Sequence, residues 1–274
     1  MRRHVLGLGA LAMLLTACGG NTGDPVATPA GTASAAASAT GDAAASPTGS
    51  TASPTPAGLP SPQPSPTPTG ENIAGCVTAD MGKIFKYTRD GTVTKGVIMG
   101  KGKVGAVVSY ERRGTVCDWL PLAERLVAEG RRVLLFDRND VVNPEKDTVE
   151  MARRLHDAGV EKVFLVGGSM GGRQSVLAAG MLKFPVAGVI SVSGGTTLPE
   201  DVTALKAPFL QVTADEDSTA PLDQVQAVYE EAKKSADRQL LVLNGREHAS
   251  ALFTAAQGDK ALQAITAFVT KHSR

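Results

Sequence analysis

The chain has 274 residues, with 28 lysines and arginines against 27 aspartates and glutamates and a formal net charge of +1. This balance excludes the strongly basic surface with which many proteins bind nucleic acids, and we predict no nucleic-acid partner. From Gly19 to about Gly70 the chain has almost no large apolar side chain. The remainder suffices for a single domain with one hydrophobic core.

The first residues form an export-signal pattern. Basic residues precede an apolar run from Val5 to Leu15, which is too short to span a bilayer. The letters "LTAC", ending at Cys18, resemble the lipobox of bacterial lipoproteins. The resemblance implies that residues 1–17 are a signal peptide and that Cys18 is acylated. The protein would then be exported and lipid-anchored to the extracytoplasmic face of the bacterial cell membrane. An ordinary secretory signal with nearby cleavage is the alternative.

Residues 18–72 form a low-complexity segment of Ala, Ser, Thr, Pro and Gly. Such a segment cannot bury enough apolar surface to offset the conformational entropy that ordering would cost. The proline-rich letters "PSPQPSPTPTG" near its end favour extended, polyproline-like backbone. We therefore predict a disordered tether that holds a globular domain, residues 73–274, away from the membrane.

Within the domain, apolar runs alternate with amphipathic segments. The pattern over 83–100 predicts two antiparallel strands that turn at Asp90-Gly91. Further strands are predicted over 104–110, 131–137, 162–167, 186–193, 207–214 and 238–243. Helices are predicted over 119–130, 147–159, 171–182, 221–236 and 250–272. Asp147 or Thr148 is the expected N-cap of the second helix. Repeated βα units predict an α/β fold with a mostly parallel, doubly wound sheet, and the chain is short for a closed eight-unit barrel.

The stretch "VGGSMGG" (166–172) stands between a predicted strand and a predicted helix. A dinucleotide fingerprint fails here because serine occupies its second glycine position. A phosphate loop has this glycine spacing, but arginine and glutamine replace its lysine and hydroxyl residue. Residues 167–171 match G-x-S-x-G in the strand-to-helix context that this motif requires. The motif predicts a sharp turn that presents the Ser169 hydroxyl, with the N–H of Met170 facing a developing oxyanion.

With this motif the domain resembles the α/β-hydrolase family from about residue 83 onward. The resemblance implies a catalytic triad in the chain order serine, acid, histidine. His248 follows the last predicted strand, where the family places its base. The acid is expected after the strand over 207–214, and family members often carry a proline four residues after it. Asp217 has such a proline, and Asp215 is the alternative.

The family takes its second oxyanion donor from the loop after the strand over 104–110, usually at a His-Gly pair. This chain has Tyr110-Glu111 there, so the donor is expected to be the backbone N–H of Glu111 or of Arg112. The absence of the usual glycine leaves the shape of this loop open.

The cysteines predict a disulfide. If Cys18 is acylated in an exported protein, Cys76 and Cys117 remain as a pair. The chain-entropy model credits the closed loop with about 4 kcal/mol. Two buried free thiols are the alternative, and neither cysteine has the spacing of a zinc site.

The resemblance implies a membrane-tethered serine hydrolase, most readily a carboxylesterase for a small-molecule ester, which needs neither metal nor organic cofactor. Peptidases, thioesterases and lipases use the same groups. The connection between the strands over 186–193 and 207–214 is too short for a sizeable cap, which predicts an open site. Five arginines near predicted loop ends favour an anionic ester, as in the dienelactone-hydrolase branch, unless they are ordinary surface charge: Arg112, Arg113, Arg138, Arg173 and Arg246. A catalytically weak binding or sensor lipoprotein of the same fold is the alternative function, and the oligomeric state stays open.

Overall fold

A small antiparallel hairpin begins the described part of the chain, which in this computed structural model comprises residues 70–138 and 143–274. The hairpin pairs β1 (Asn72–Ile73) with β2 (Val77–Thr78). Ile73 and Val77 are buried in the core, so the hairpin packs on the domain. The predicted signal peptide, Cys18 and nearly all of the predicted tether lie outside the described residues.

A mixed sheet forms the centre of the domain. Its strands are β3 (Gly82–Arg89), β4 (Thr92–Gly100), β5 (Val104–Ser109), β6 (Arg132–Phe136), β7 (Lys162–Gly168), β8 (Gly188–Val192), β9 (Phe209–Ala214) and β10 (Arg238–Leu243). Their spatial order is β10-β9-β8-β7-β5-β6-β4-β3. The strands from β10 to β6 are parallel, and β4 and β3 continue the sheet antiparallel. The predicted mostly parallel, doubly wound sheet is confirmed.

Helices cover both faces of the sheet. They are a 3-10 helix (Val116–Trp119), α1 (Leu120–Ala128), α2 (Glu145–Asp157), α3 (Met170–Met181), α4 (Pro199–Val202), α5 (Leu222–Glu231), a second 3-10 helix (Ala249–Thr254) and α6 (Gly258–Lys271). Side chains of α1 and α6 share one apolar core with the sheet, and side chains of α2, α3 and α5 share the other. None of the helices within 70–138 and 143–274 is long and apolar enough to cross a membrane.

The start of α2 differs from the prediction. The helix begins at Glu145, and neither Asp147 nor Thr148 is its N-cap. The Asp147 carboxylate instead pairs with Arg89 at 3.2 Å, and the Thr148 hydroxyl lies 2.9 Å from that of Ser109. Both residues are buried, so their tertiary partners on β3 and β5 outweigh the local capping preference.

Two further helices were predicted too long. The segment over 250–272 divides into the second 3-10 helix and α6, because the chain at Gly258 turns against the Phe253 carbonyl so closely that any Cβ would collide with it. The helix predicted over 221–236 ends at Glu231. The connection from β8 to β9 carries only the 4-residue α4, as expected for a domain without a sizeable cap.

Candidate active site

Ser169 stands on a sharp turn between β7 and α3. Its φ of 48° lies in the left-handed region, which residues with a side chain seldom adopt. Its N–H donates to the Val192 carbonyl at 2.8 Å, which fixes the turn to β8. A Cβ at Gly167 would collide with the backbone of Gly171, and one at Gly171 with the Ser109 carbonyl. The two glycines of the motif are therefore what allows strand and helix to approach closely enough to present the serine.

Asp217 and His248 meet at the same edge of the sheet, after β9 and β10. Oδ2 of Asp217 lies 2.7 Å from Nδ1 of His248. The other carboxylate oxygen accepts the N–H of Thr219 at 2.9 Å and that of Ala220 at 3.1 Å. Asp217 is fully buried, whereas 24% of the His248 side chain is exposed. The acid is thus held from several sides while one side of the imidazole remains open to solvent.

The environment keeps Asp217 ionised. Burial acts to raise the pKa of this carboxyl, but the hydrogen bond and charge of His248 lower it, with help from the Ser193 hydroxyl and the Ala220 N–H. The net result is a pKa below the usual value of 3.8. A carboxylate at Nδ1 selects the tautomer of His248 that carries its proton there. Nε2 is then left as the proton acceptor.

Asp215, the alternative acid, does not reach His248. Its carboxylate accepts the N–H of Gly245 at 2.9 Å and so closes a surface turn. Ser169 Oγ and His248 Nε2 each make no hydrogen bond to any residue within the described ranges. Neither atom is therefore occupied by another partner in that part of the chain, and the hydrogen bonds of catalytic groups commonly tighten only when substrate is present.

Two backbone donors were predicted for an oxyanion. Met170 is the first residue of α3, and neither its N–H nor that of Glu111 donates to an acceptor in the part of the chain that the structure describes. The Glu111 carbonyl accepts the N–H of Gly114 at 3.2 Å and Nη2 of Arg138 at 3.3 Å. These bonds shape the loop after β5, and the N–H of Arg112, the alternative donor, likewise has no acceptor among the described residues.

The Glu111 carboxylate has a role that the sequence analysis missed. It is buried, with one oxygen 2.8 Å from Nε1 of Trp119 and the other accepting the Ser250 hydroxyl. A Cβ at Gly168 would contact this carboxylate as well. The side chain therefore joins the loop after β5, the first 3-10 helix and the second 3-10 helix, which follows His248. The available signal was a glutamate in a loop shortly before the only tryptophan of the chain.

The predicted disulfide between Cys76 and Cys117 is present, with the two Cα atoms 5.8 Å apart. It joins the amino-terminal hairpin to the first 3-10 helix, which also carries Trp119. Thr115 caps that helix by accepting the N–H of Cys117 at 3.2 Å. The first 3-10 helix, whose Trp119 contacts the Glu111 carboxylate, is thus held by a covalent bond and by a cap.

The five arginines predicted near the site differ in whether they contact other residues of the fold. Arg173 pairs with Asp201 at 2.8 Å, which neutralises its charge. The guanidinium of Arg138 lies 5.2 Å from the ring centroid of Tyr110. The backbone N–H of Arg138 also donates to the phenol oxygen of Tyr110 at 2.6 Å. The two arginines on the loop after β5 stay exposed. Arg246 lies 3.9 Å from the Glu216 carboxylate, so three members of the set have contacts within the fold.

Comparison with known proteins gives a family match and a fold. A family model described as the dienelactone hydrolase family matches residues 123–268. No curated protein is significantly similar in sequence to this chain. An esterase from Pyrococcus furiosus superposes with a TM-score of 0.61 at 14% identity, covering 70% of this chain and 91% of that one. Est1E from Butyrivibrio proteoclasticus superposes with a TM-score of 0.56 at 15% identity, covering 70% of this chain and 98% of that one.

A monoacylglycerol lipase from Paleococcus ferrophilus is a further similar structure, with a TM-score of 0.57 at 15% identity over 65% of this chain and 98% of that one. At these identities the likeness shows the fold alone. The domain has the α/β-hydrolase fold, as its resemblance to that family implied.

Proposed function

We propose that this chain, a hydrolase that belongs to the dienelactone hydrolase family because the family model matches more than half of it, is a serine hydrolase of carboxylic esters. The proposal rests on this membership and on the arrangement of Ser169, Asp217 and His248. The observation that carries the proposal is the 2.7 Å contact between Asp217 and His248. A buried carboxylate that orients an accessible imidazole is the arrangement that activates a serine hydroxyl.

The chemistry would proceed through an acyl-enzyme. His248 takes the proton from Ser169 as the serine oxygen attacks the ester carbonyl, and the N–H groups of Met170 and Glu111 donate to the resulting oxyanion. His248 then protonates the leaving alcohol. In the second half, His248 removes a proton from water as the water oxygen attacks the acyl-enzyme, and it then gives that proton to the departing Ser169 oxygen as the carboxylic acid is released. Asp217 stays ionised throughout and stabilises the imidazolium that forms in each half.

The substrate class follows from the surroundings of the site. Only α4 lies between β8 and β9, so a large cap does not cover the serine and the site stays open to solvent. The printed names of similar structures include esterases and a monoacylglycerol lipase. We therefore assign a small-molecule carboxylic ester as the substrate.

A fluorophosphonate probe tests the serine assignment. The wild type should be labelled and hydrolyse 4-nitrophenyl esters, whereas Ser169→Ala should do neither. Ser175→Ala is a matched control, because Ser175 is a buried serine on α3, and this variant should be labelled like the wild type. A wild type that neither reacts with the probe nor hydrolyses any ester in a series of varied chain length and charge would instead favour the binding or sensor lipoprotein.

Export and lipid anchoring complete the proposal. They rest on the signal pattern that ends at Cys18, and the proline-rich segment that follows would act as a spacer between membrane and domain. In a bacterial host given an alkyne-tagged fatty acid, the full chain should carry the tag and Cys18→Ser should not. A full chain that is exported without the tag would favour an ordinary secretory signal.

A further inference from the structure

Ser193 directly follows β8, a strand that carries no member of the proposed triad. It is completely buried, and its φ is 49°. Its N–H donates to the Val212 carbonyl at 2.7 Å, which fixes its backbone to β9. A residue with a Cβ costs free energy in this conformation and persists there only where the surrounding contacts determine it. The conformation of Ser193 is therefore maintained by its surroundings, and its side chain takes part in those contacts.

The Ser193 hydroxyl holds the backbone next to His248. Its oxygen accepts the N–H of Ala249 at 2.9 Å. Ala249 is also completely buried and has a φ of 52°, so this hydrogen bond joins two left-handed residues. No backbone acceptor within the described residues serves that N–H. Without the hydroxyl, a donor immediately after His248 would be buried and unsatisfied.

The same hydroxyl faces the acid. A serine oxygen that accepts one hydrogen bond still has its own proton to donate. This hydroxyl lies near the Asp217 carboxylate and, after His248, is one of the groups that lower the pKa of the acid. Ser193 is therefore hydrogen-bonded to the chain that carries His248 and acts on the charge of Asp217.

We propose that Ser193 is a positioning residue of the triad, whose hydroxyl sets the relative placement of Asp217 and His248. This inference rests on the proposed ester hydrolysis. Because small displacements of a catalytic group can lower the rate about 100-fold, the loss of the hydroxyl should reduce kcat rather than substrate binding.

Three variants and a control test this role. Ser193→Ala and Ser193→Gly both remove the hydroxyl, and the glycine also relieves the backbone strain. Ser193→Thr keeps the hydroxyl but places a β-branched residue at a positive φ, which should lower the melting temperature. The matched control is Ser191→Ala, since Ser191 lies two residues earlier on β8, is equally buried, and has a hydroxyl without a partner among the described residues.

With a 4-nitrophenyl ester, we expect kcat to fall about 10- to 100-fold in the alanine and glycine variants, with KM within about threefold of wild type. The threonine variant should keep kcat within about threefold although it melts lower than the glycine variant. The threonine variant would then have a higher kcat but a lower melting temperature than the glycine variant, which a purely structural role does not produce.

The proposal is overturned if the alanine and glycine variants keep wild-type kcat, if threonine is as slow as glycine, or if Ser191→Ala loses as much activity. Should one of the Ser193 variants not fold, the comparison between the others and Ser191→Ala decides by the same criteria. A wild type without esterase activity would refute the proposed function itself, so the two failures are distinguishable.

Discussion

Replacing Glu111 removes the contacts of its carboxylate but keeps the backbone N–H that is proposed to donate to the oxyanion. Its carboxylate accepts hydrogen bonds from Trp119 and Ser250, and all three residues are buried. In Glu111→Ala both donors lose their acceptor, at about 1–3 kcal/mol each, so the free energy of unfolding should fall by about 2–6 kcal/mol. For a domain of this size each kcal/mol lowers the melting temperature by about 2–4 °C.

The variant Glu111→Gln should be far milder. Its amide oxygen can accept from the Trp119 indole, and its amide nitrogen can donate to the Ser250 oxygen, because a hydroxyl can serve as acceptor. Only the additional strength of hydrogen bonds to a charged acceptor is lost, about 1 kcal/mol. Glu124→Ala, at an exposed position on α1, is the control and should change stability by less than about 0.5 kcal/mol.

The stability of each variant is measured by thermal and by urea unfolding, and its activity is measured separately by ester hydrolysis. Glu111→Ala should melt at least about 4 °C below Glu124→Ala, and Glu111→Gln should lie between them. In a double-mutant cycle with Trp119→Phe, the coupling should be about 0.5–3 kcal/mol. An alanine variant as stable as the control, or a glutamine variant as unstable as alanine, would show that the carboxylate does not hold these three segments together.

Three further predictions concern the triad and the disulfide. His248→Ala should lower kcat by at least about 10⁴-fold while circular dichroism stays native, and activity within a few-fold of wild type would refute the assignment. Replacing Cys76 and Cys117 together by serine should cost about 4 kcal/mol of stability in denaturant unfolding, and a stability equal to wild type would contradict the chain-entropy argument. Because the pKa of Asp217 is lower in the folded state than its usual 3.8, this carboxyl contributes stability at neutral pH that is lost as the pH falls through that range. The stability difference between wild type and Asp217→Asn should therefore shrink below about pH 4, and a difference that stays constant under acid would exclude this linkage.

The sequence predicted the sheet better than the ends of its helices. Near-continuous apolar runs specify buried parallel strands because both faces of each strand meet a helical layer, and β10 matches its predicted bounds of 238–243. The start of α2 was wrong because the capping preference of Asp147 is local, whereas its ion pair with Arg89 spans two elements. The break before α6 depends on the contact between Gly258 and Phe253, which helical periodicity does not report.

The candidate site was predictable where it consists of a motif and its order along the chain. Ser169 and His248 each come after a strand that the apolar pattern marks, and parallel strands bring their carboxyl ends to one edge of the sheet. The carboxylate of Glu111 was not predictable, because its partner Ser250 is 139 residues away in the chain. Ser193 escaped notice for a related reason, since its contact with Ala249 spans 56 residues.

The disulfide also determines how the domain would respond to mechanical force at its amino end. A pull on Gly70 can peel away β1, but it reaches Cys76 before it reaches β2. At Cys76 the load passes through the covalent bond to Cys117 and enters the domain at the first 3-10 helix. The edge strand β3, which would otherwise be the next element to unzip, is shielded from that force. A pull on the amino end would therefore be resisted next to the Trp119–Glu111 contact, and the sheet would remain intact until that region yields.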